Sequence, residues 1–301
     1  MGIVYSNAAL LALARRNNIC FDKILTIGHQ ELHLSQKQLR QFAKCYGFKI
    51  DPGIFLREKY ADKFFEIFLD AKSVTSLDYS DYQQANIVHD MNTPIDPSYH
   101  EKFDVVVDGG SLEHIFNFPV AVANCMKMVK KDGSLFIFTT ANNHTGHGFY
   151  QFSPELFFRI FQSENGFATR YVILEKHPFP GVELSPRTRC FEVVDPASVK
   201  QRVGLVTNSP VMIMIHAIKT ETKPVFADYP IQSDYLLEYN GDVNNAPVRR
   251  TNPAIYGLLK RVFWKCVSLL PSQCEKYITG RRQLSQFSFS NGHFYRRWYP
   301  S

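Results

Sequence analysis

The chain has 301 residues, 45% hydrophobic and 14% aromatic, with a formal net charge of +6, and such a chain buries a sizeable core rather than remaining disordered. Six cysteines (20, 45, 125, 190, 266 and 274) form no C-x-x-C pair, which argues against a zinc ribbon or a disulfide framework. The charge is uneven: from Arg249 to Ser301 ten Lys/Arg face one acid, Glu275, so the excess sits in the C-terminal tail.

In chain order, the opening "MGIVYSNAALLALARRNN" has a short apolar run followed by arginines. That is the wrong charge order for a secretory signal and too short for a bilayer, so a cytoplasmic chain is expected. Apolar runs at 22–28, 73–78, 85–90, 103–110 and 134–141 predict strands covered on both faces, and two later strands are expected at 169–175 and 210–219. Helices fall between them. In 34–46, Leu39, Phe42, Ala43 and Tyr46 keep the i, i+3, i+4, i+7 spacing and Ser35 with Gln38 matches a capping box; Tyr60, Phe64, Ile67 and Phe68 do the same in 58–71. Pro119 suits the start of a helix over 119–130, and Ser153-Pro154 opens another over 153–163. Alternating strands and helices predict a doubly wound α/β sheet.

In such sheets ligands bind beyond the carboxyl ends of the strands, near the switch in strand order. Those ends carry Gly28, Asp78, Asp90 and Asp108. A carboxylate there accepts two hydrogen bonds from a ribose diol, and the next strand end can read an adenine amine, so the row of acids points to a nucleoside. Aspartate also satisfies turn N–H groups at strand ends, which is the plainer role open to each one alone.

With "TSLDYS", "VHDMN" and "DGGSLEH" at these strand ends, residues 20–220 resemble the class I S-adenosylmethionine-dependent methyltransferases. The resemblance implies a Rossmann-like, mostly parallel sheet of seven strands with S-adenosyl-L-methionine as cofactor. It places Asp78 and Tyr79 at the ribose, Asp90 and Met91 at the adenine, and Asp108, Gly109, Gly110 and Glu113 beside the methionine moiety. "GHGFYQFSPELFF" further resembles a bacterial subgroup linked to surface-polysaccharide and other small-molecule biosynthesis, which implies a small-molecule acceptor such as a sugar. The first loop, "LTIGHQELHLS", departs from the family's acid and Gly-x-Gly-x-Gly pattern: Thr26 replaces the acid and Gly28 alone is kept, so His29 and Gln30 would crowd the amino-acid end or bond to it. The interval from Gly28 to Asp78 is long, which predicts a helical insertion over 29–57.

Methyl transfer needs alignment of the acceptor and, for a hydroxyl, removal of its proton. His114, His144 and His147 are the expected proton acceptors, because an unperturbed imidazole titrates near neutral pH. Asn142, Asn143, Tyr150 and Gln151 in the same stretch are candidates for binding the acceptor. Each could equally serve only to build its loop. His144 and His147 have ligand spacing but no evident third ligand, so no metal is expected.

Residues 1–220 thus read as the cofactor-binding domain and 221–301 as a C-terminal extension, opened by four prolines over 221–253. An amphipathic basic helix near 254–270 would dock on the domain or a second subunit, or lie at the inner face of a membrane with anionic lipid. The closing "FSFSNGHFYRRWYP" mixes arginines with aromatics, but no recognised module accompanies it, so no nucleic-acid partner is expected. Two other functions stay open on this fold: a non-catalytic binding or assembly protein, and a nicotinamide or sugar-nucleotide enzyme. The latter is disfavoured by the lack of Gly-x-Gly-x-x-Gly.

Overall fold

The computed structural model describes residues 2–177, 188–239, 262–263, 265–266 and 287–299. In chain order it runs β1 (Gly2–Ile3), α1 (Tyr5–Arg16), β2 (Lys23–Ile27), β3 (Glu31–Leu32), α2 (Gln36–Tyr46), α3 (Asp62–Leu69), β4 (Ser73–Asp78), β5 (Ile87–Val88), β6 (Phe103–Asp108), α4 (Phe118–Met128) and β7 (Val129–Asn142). It continues through α5 (Pro154–Ile160), β8 (Phe167–Lys176), β9 (Arg189–Val193), α6 (Pro196–Val199), β10 (Val211–Lys219), α7 (Ser233–Tyr239) and β11 (Tyr295–Trp298).

The chain divides into two compact units, one of Met1–Val193, Ser209–Pro230 and Arg297–Ser301, the other of Val194–Asn208 and Ile231–Arg296. The sheet runs in the order β11-β9-β8-β10-β7-β6-β2-β4-β5, and the first unit holds all of it except Tyr295 and Arg296 of β11. From β5 to β7 every neighbouring pair is parallel, and Ile27 stands beside Leu77 of β4 on one side and Asp108 of β6 on the other. β10 runs antiparallel to both β7 and β8, and β9 antiparallel to β8. The sheet is therefore mixed and nine-stranded, a correction to the seven mostly parallel strands expected. The added strands escaped the sequence because β9 ("RCFEV") has too few buried positions to form an apolar run, and β11 ("YRRW") carries two exposed arginines.

Local chemistry accounts for the helices. Ser35 and Gln38 close the capping box of α2: Gln38 N–H donates to Ser35 Oγ at 3.3 Å and Ser35 N–H to Gln38 Oε1 at 2.9 Å. The α2 and α3 faces meet in an aromatic cluster in which Phe42 lies 5.3 Å from Phe64 and 4.9 Å from Phe68 between ring centroids. α1 buries Ala8, Leu10 and Leu11 in the same core, so the short apolar run at the start of the chain is a core helix. The interval 29–57 holds β3, which pairs with β1 in a separate two-stranded sheet, then α2 and a short 3-10 turn at Pro52–Phe55.

In the second unit, Val194 N–H donates to the Phe294 carbonyl at 2.9 Å, Tyr295 Oη to the Gly204 carbonyl at 2.8 Å, and Arg202 pairs with Asp234 at 2.5 Å. The basic helix expected near 254–270 lies outside the described residues apart from Val262, Phe263, Lys265 and Cys266, which are helical. Among the described residues no helix is long and apolar enough to cross a membrane.

Candidate functional site

Counting from β2, the parallel strands lie in the order third, second, first, fourth, fifth, so the order reverses between β2 and β6. A crevice opens there beyond the carboxyl ends, where a doubly wound sheet binds its ligand. It has a volume of about 460 Å³ and is lined by Gly28 after β2, Asp78 and Tyr79 after β4, Asp90 and Met91 after β5, and Gly110, Ser111, His114 and His147. Residues more than a hundred positions apart in sequence are thus collected at one edge.

Gly28 sits at φ +73°, a left-handed conformation that lets its N–H reach the Leu77 carbonyl at 2.7 Å, and an added Cβ would stand 3.1 Å from Ser111 Oγ. Ser111 Oγ donates to the Ile27 carbonyl at 2.8 Å, and Gln30 Nε2 donates to the same carbonyl at 2.5 Å. The Gln30 side chain is buried against Gly109, where any Cβ would fall on its amide oxygen. The first loop is therefore closed by a side-chain amide, and Gln30 Oε1 is left buried without a hydrogen-bond partner. His29 turns elsewhere: it stacks on Tyr60 at 3.5 Å and bonds the Gln83 carbonyl and Asp62 through its two ring nitrogens. It does not line the crevice.

Asp78 accepts from its neighbour, Tyr79 N–H, at 2.6 Å through one carboxylate oxygen, and the Tyr79 ring is exposed. Asp90 accepts from both the backbone N–H and the side-chain amide of Asn92, bonds that hold its carboxyl below the usual range. Met91 is buried, its sulfur near Asn124 Nδ2. Asp108 is fully buried: its Oδ1 accepts from Ser111 N–H at 2.8 Å while its Oδ2 has no partner. Burial, then the Glu113 carboxylate, pushes the Asp108 carboxyl well above its ordinary value.

After β6 the 3-10 turn Leu112–His114 lifts Glu113 and His114 towards the loop that follows β7. The Glu113 carbonyl accepts from Phe149 N–H at 2.8 Å, and Gly148, at φ +68°, permits the approach: a Cβ there would stand 2.7 Å from that carbonyl oxygen. The Glu113 side chain is fully buried, with Oε2 accepting from Thr139 Oγ1 at 2.9 Å and Oε1 lying 3.6 Å from His147 Nε2. Burial raises the Glu113 carboxyl and lowers the His114 imidazole. His114 and His147 lie 4.9 Å apart between ring centroids and both line the crevice; His144 lies 6.1 Å from His147 and does not line it.

The four residues expected at the acceptor bond within and around their loop. Gln151 Oε1 accepts from His144 N–H, Asn142 Oδ1 from Asn143 N–H, Asn143 Nδ2 donates to the Ser209 carbonyl, and Tyr150 Oη donates to the Phe116 carbonyl. None of them lines the crevice. The sequence did not point to Ser111, Asn92 and Thr139, which bond the Ile27 carbonyl, the Asp90 carboxylate and the Glu113 carboxylate respectively. Each is an ordinary polar residue beside a strand end or within a strand, and only its neighbour in space gives it a role.

No protein-family model matches the chain, and no curated protein matches it. Among solved structures it is similar to Bacillus subtilis YcgJ (13% identity, 70% of this chain and 98% of that one, TM-score 0.39) and to the N-methyltransferase NodS from Bradyrhizobium japonicum WM9 (12%, 72% and 94%, TM-score 0.38). A third is Burkholderia thailandensis 1,6-didemethyltoxoflavin-N1-methyltransferase with bound 1,6-didemethyltoxoflavin and S-adenosylhomocysteine (13%, 72% and 78%, TM-score 0.37). At these scores the likenesses carry no argument, and the functional reading rests on the chain's own geometry.

Proposed function

We propose that the protein is an S-adenosylmethionine-dependent methyltransferase acting on a small molecule. The observation that carries this reading is the charge of the crevice: Asp78 and Asp90 line it, the Asp90 carboxyl held below its usual range, and no lysine or arginine is among its lining residues. S-adenosylmethionine brings a sulfonium and an ammonium, which such a surface favours, together with a ribose diol suited to Asp78 and an adenine suited to Asp90 and the apolar side of Met91. A nicotinamide or nucleotide-sugar ligand brings a pyrophosphate, which calls for a helix N-terminus or cations. Here the chain leaves Gly28 for β3 and enters α2 only at Gln36, so no helix begins at the first strand's end.

When bound, the cofactor supplies an electrophilic methyl group. The chain's part is to hold the donor across the switch point and to present an acceptor from the side of His114 and His147, with a histidine taking the acceptor's proton where that acceptor is a hydroxyl. A sugar or polysaccharide precursor is the acceptor class we favour, on the strength of the motif "GHGFYQFSPELFF". A non-catalytic binding protein remains the second reading, favoured by the Gln30 side chain packed where the first loop would meet the amino-acid end of the donor.

The test is transfer of labelled methyl from S-adenosylmethionine to sugar and sugar-nucleotide acceptors. Wild-type protein is expected to label a small-molecule product. Asp78→Ala, which removes a charged acceptor of about two hydrogen bonds worth roughly 1.5–3 kcal/mol each, is expected to weaken cofactor binding by at least about tenfold while circular dichroism stays unchanged. Undiminished binding by that variant contradicts the ribose assignment.

A further inference from the structure

We propose that Glu113, His114 and His147 form a binding site for a divalent first-row transition-metal ion at the rim of the crevice. One potential ligand atom from each, a carboxylate oxygen and two imidazole nitrogens, lies within 4.8 Å of the others. The sequence offered His144 and His147 without a third ligand; folding replaces that pair with one assembled from the turn after β6 and the loop after β7. The ligands therefore come from two elements brought together by the Phe149 N–H bond to the Glu113 carbonyl.

Three further observations point the same way. Glu113 Oε1 is fully buried and accepts no hydrogen bond, and His147 Nε2 likewise has no hydrogen-bond partner; they face each other at 3.6 Å. That gap is close to the roughly 3.3 Å between ligand atoms that each lie about 2.0–2.1 Å from a shared tetrahedral ion. The other carboxylate oxygen is held by Thr139 Oγ1 at 2.9 Å, the kind of outer-sphere bond that fixes a ligating carboxylate in place. Two imidazoles with one carboxylate suit Zn²⁺, Co²⁺, Mn²⁺ or Fe²⁺ rather than Mg²⁺ or Ca²⁺, which prefer all-oxygen sites.

Three protein ligands leave coordination positions open on the crevice side, where an acceptor's oxygen or nitrogen can bind. The inference deepens the methyltransferase reading by giving the acceptor a metal-binding group; with an ion bound, His114 and His147 serve as ligands, and the ion would acidify a bound hydroxyl so that its proton leaves to solvent in place of the transfer to histidine. The ion site itself stands independently of that reading, because it is built from this chain's side chains alone.

Titration of the full-length protein with Co²⁺ alone, followed by visible absorption and by metal content after gel filtration, tests it. One equivalent of tightly held Co²⁺ is expected, displaced by Zn²⁺ and not by Mg²⁺. Glu113→Gln and His147→Ala are each expected to weaken binding more than the roughly 10–100-fold typical of losing an outer-sphere partner, and Thr139→Val to fall within that range. If Glu113→Gln does not fold, His147→Ala carries the test, since its side chain is 36% exposed. Failure of folded wild-type protein to retain Co²⁺, or undiminished affinity in His147→Ala, overturns the site. Cobalt binding without binding of S-adenosylmethionine would leave the ion site standing and remove the methyl-transfer reading; the reverse result would do the opposite.

Discussion

Gln30 and Gly109 show how one residue can set the rule for another. Gly109 is outside the left-handed region, so its backbone tolerates alanine; what forbids a Cβ is the Gln30 amide lying against it. Gly109→Ala is therefore expected to lose about 1–3 kcal/mol of stability through overpacking. Gln30→Ala loses a comparable amount, from a vacated space and from one fewer donor to the Ile27 carbonyl. The double variant is expected to cost clearly less than the sum of the two, because the alanine methyl fills the vacated space. Additive losses in urea unfolding would show that the two side chains do not compete for one volume. At this scale the strand-end residues Gly28, Asp78, Asp90 and Met91 were legible before the fold was known, since each ends an apolar run. Gln30, Ser111 and Thr139 were not, because a polar side chain's task is set by what folding places opposite it.

Among the elements, β10 carries a consequence for stability. His216 is buried, its ring stacked on Phe136 at 4.3 Å and bonded to Ser134 Oγ at 3.0 Å. Burial, reinforced by the nearby positive charge of Arg170, pushes its imidazole down to about 3. In the unfolded chain the same group titrates near 6.5, so as pH falls the unfolded state takes up the proton first and stability is lost from about 6.5 down to about 3. Between pH 7 and pH 5 the wild type is expected to lose about 2 kcal/mol more than His216→Phe, read from denaturant midpoints at each pH. Parallel pH profiles for the two proteins would mean that His216 is not held neutral. The strand itself was expected from its run of apolar residues. Its antiparallel direction was not, because a fully buried run reads the same whichever way it is laid into a sheet. The capping box of α2, by contrast, was legible in full, since both of its partners lie within three residues of each other.

On the scale of the whole molecule, the sequence conveyed a doubly wound sheet and the edge that its ligand would use, because the central strands β2 and β6 are mostly apolar and buried and helical segments alternate with the strands. It did not convey the outer strands β9 and β11, whose half-exposed residues have no period strong enough to read. Nor did it convey that Glu113, rather than a second residue of the histidine loop, completes the cluster at the rim. That meeting depends on Gly148 and on a backbone bond between segments 36 residues apart. We propose that this edge binds S-adenosylmethionine although its first loop lacks the usual glycines. The deciding measurement is calorimetric titration of the purified protein with S-adenosylmethionine, with S-adenosylhomocysteine and with NADH. Binding of the first two is expected at about micromolar affinity, near −8 kcal/mol, and none of NADH. Absence of binding by either sulfur nucleoside in well-folded protein would contradict it and leave the fold as a binding or assembly module.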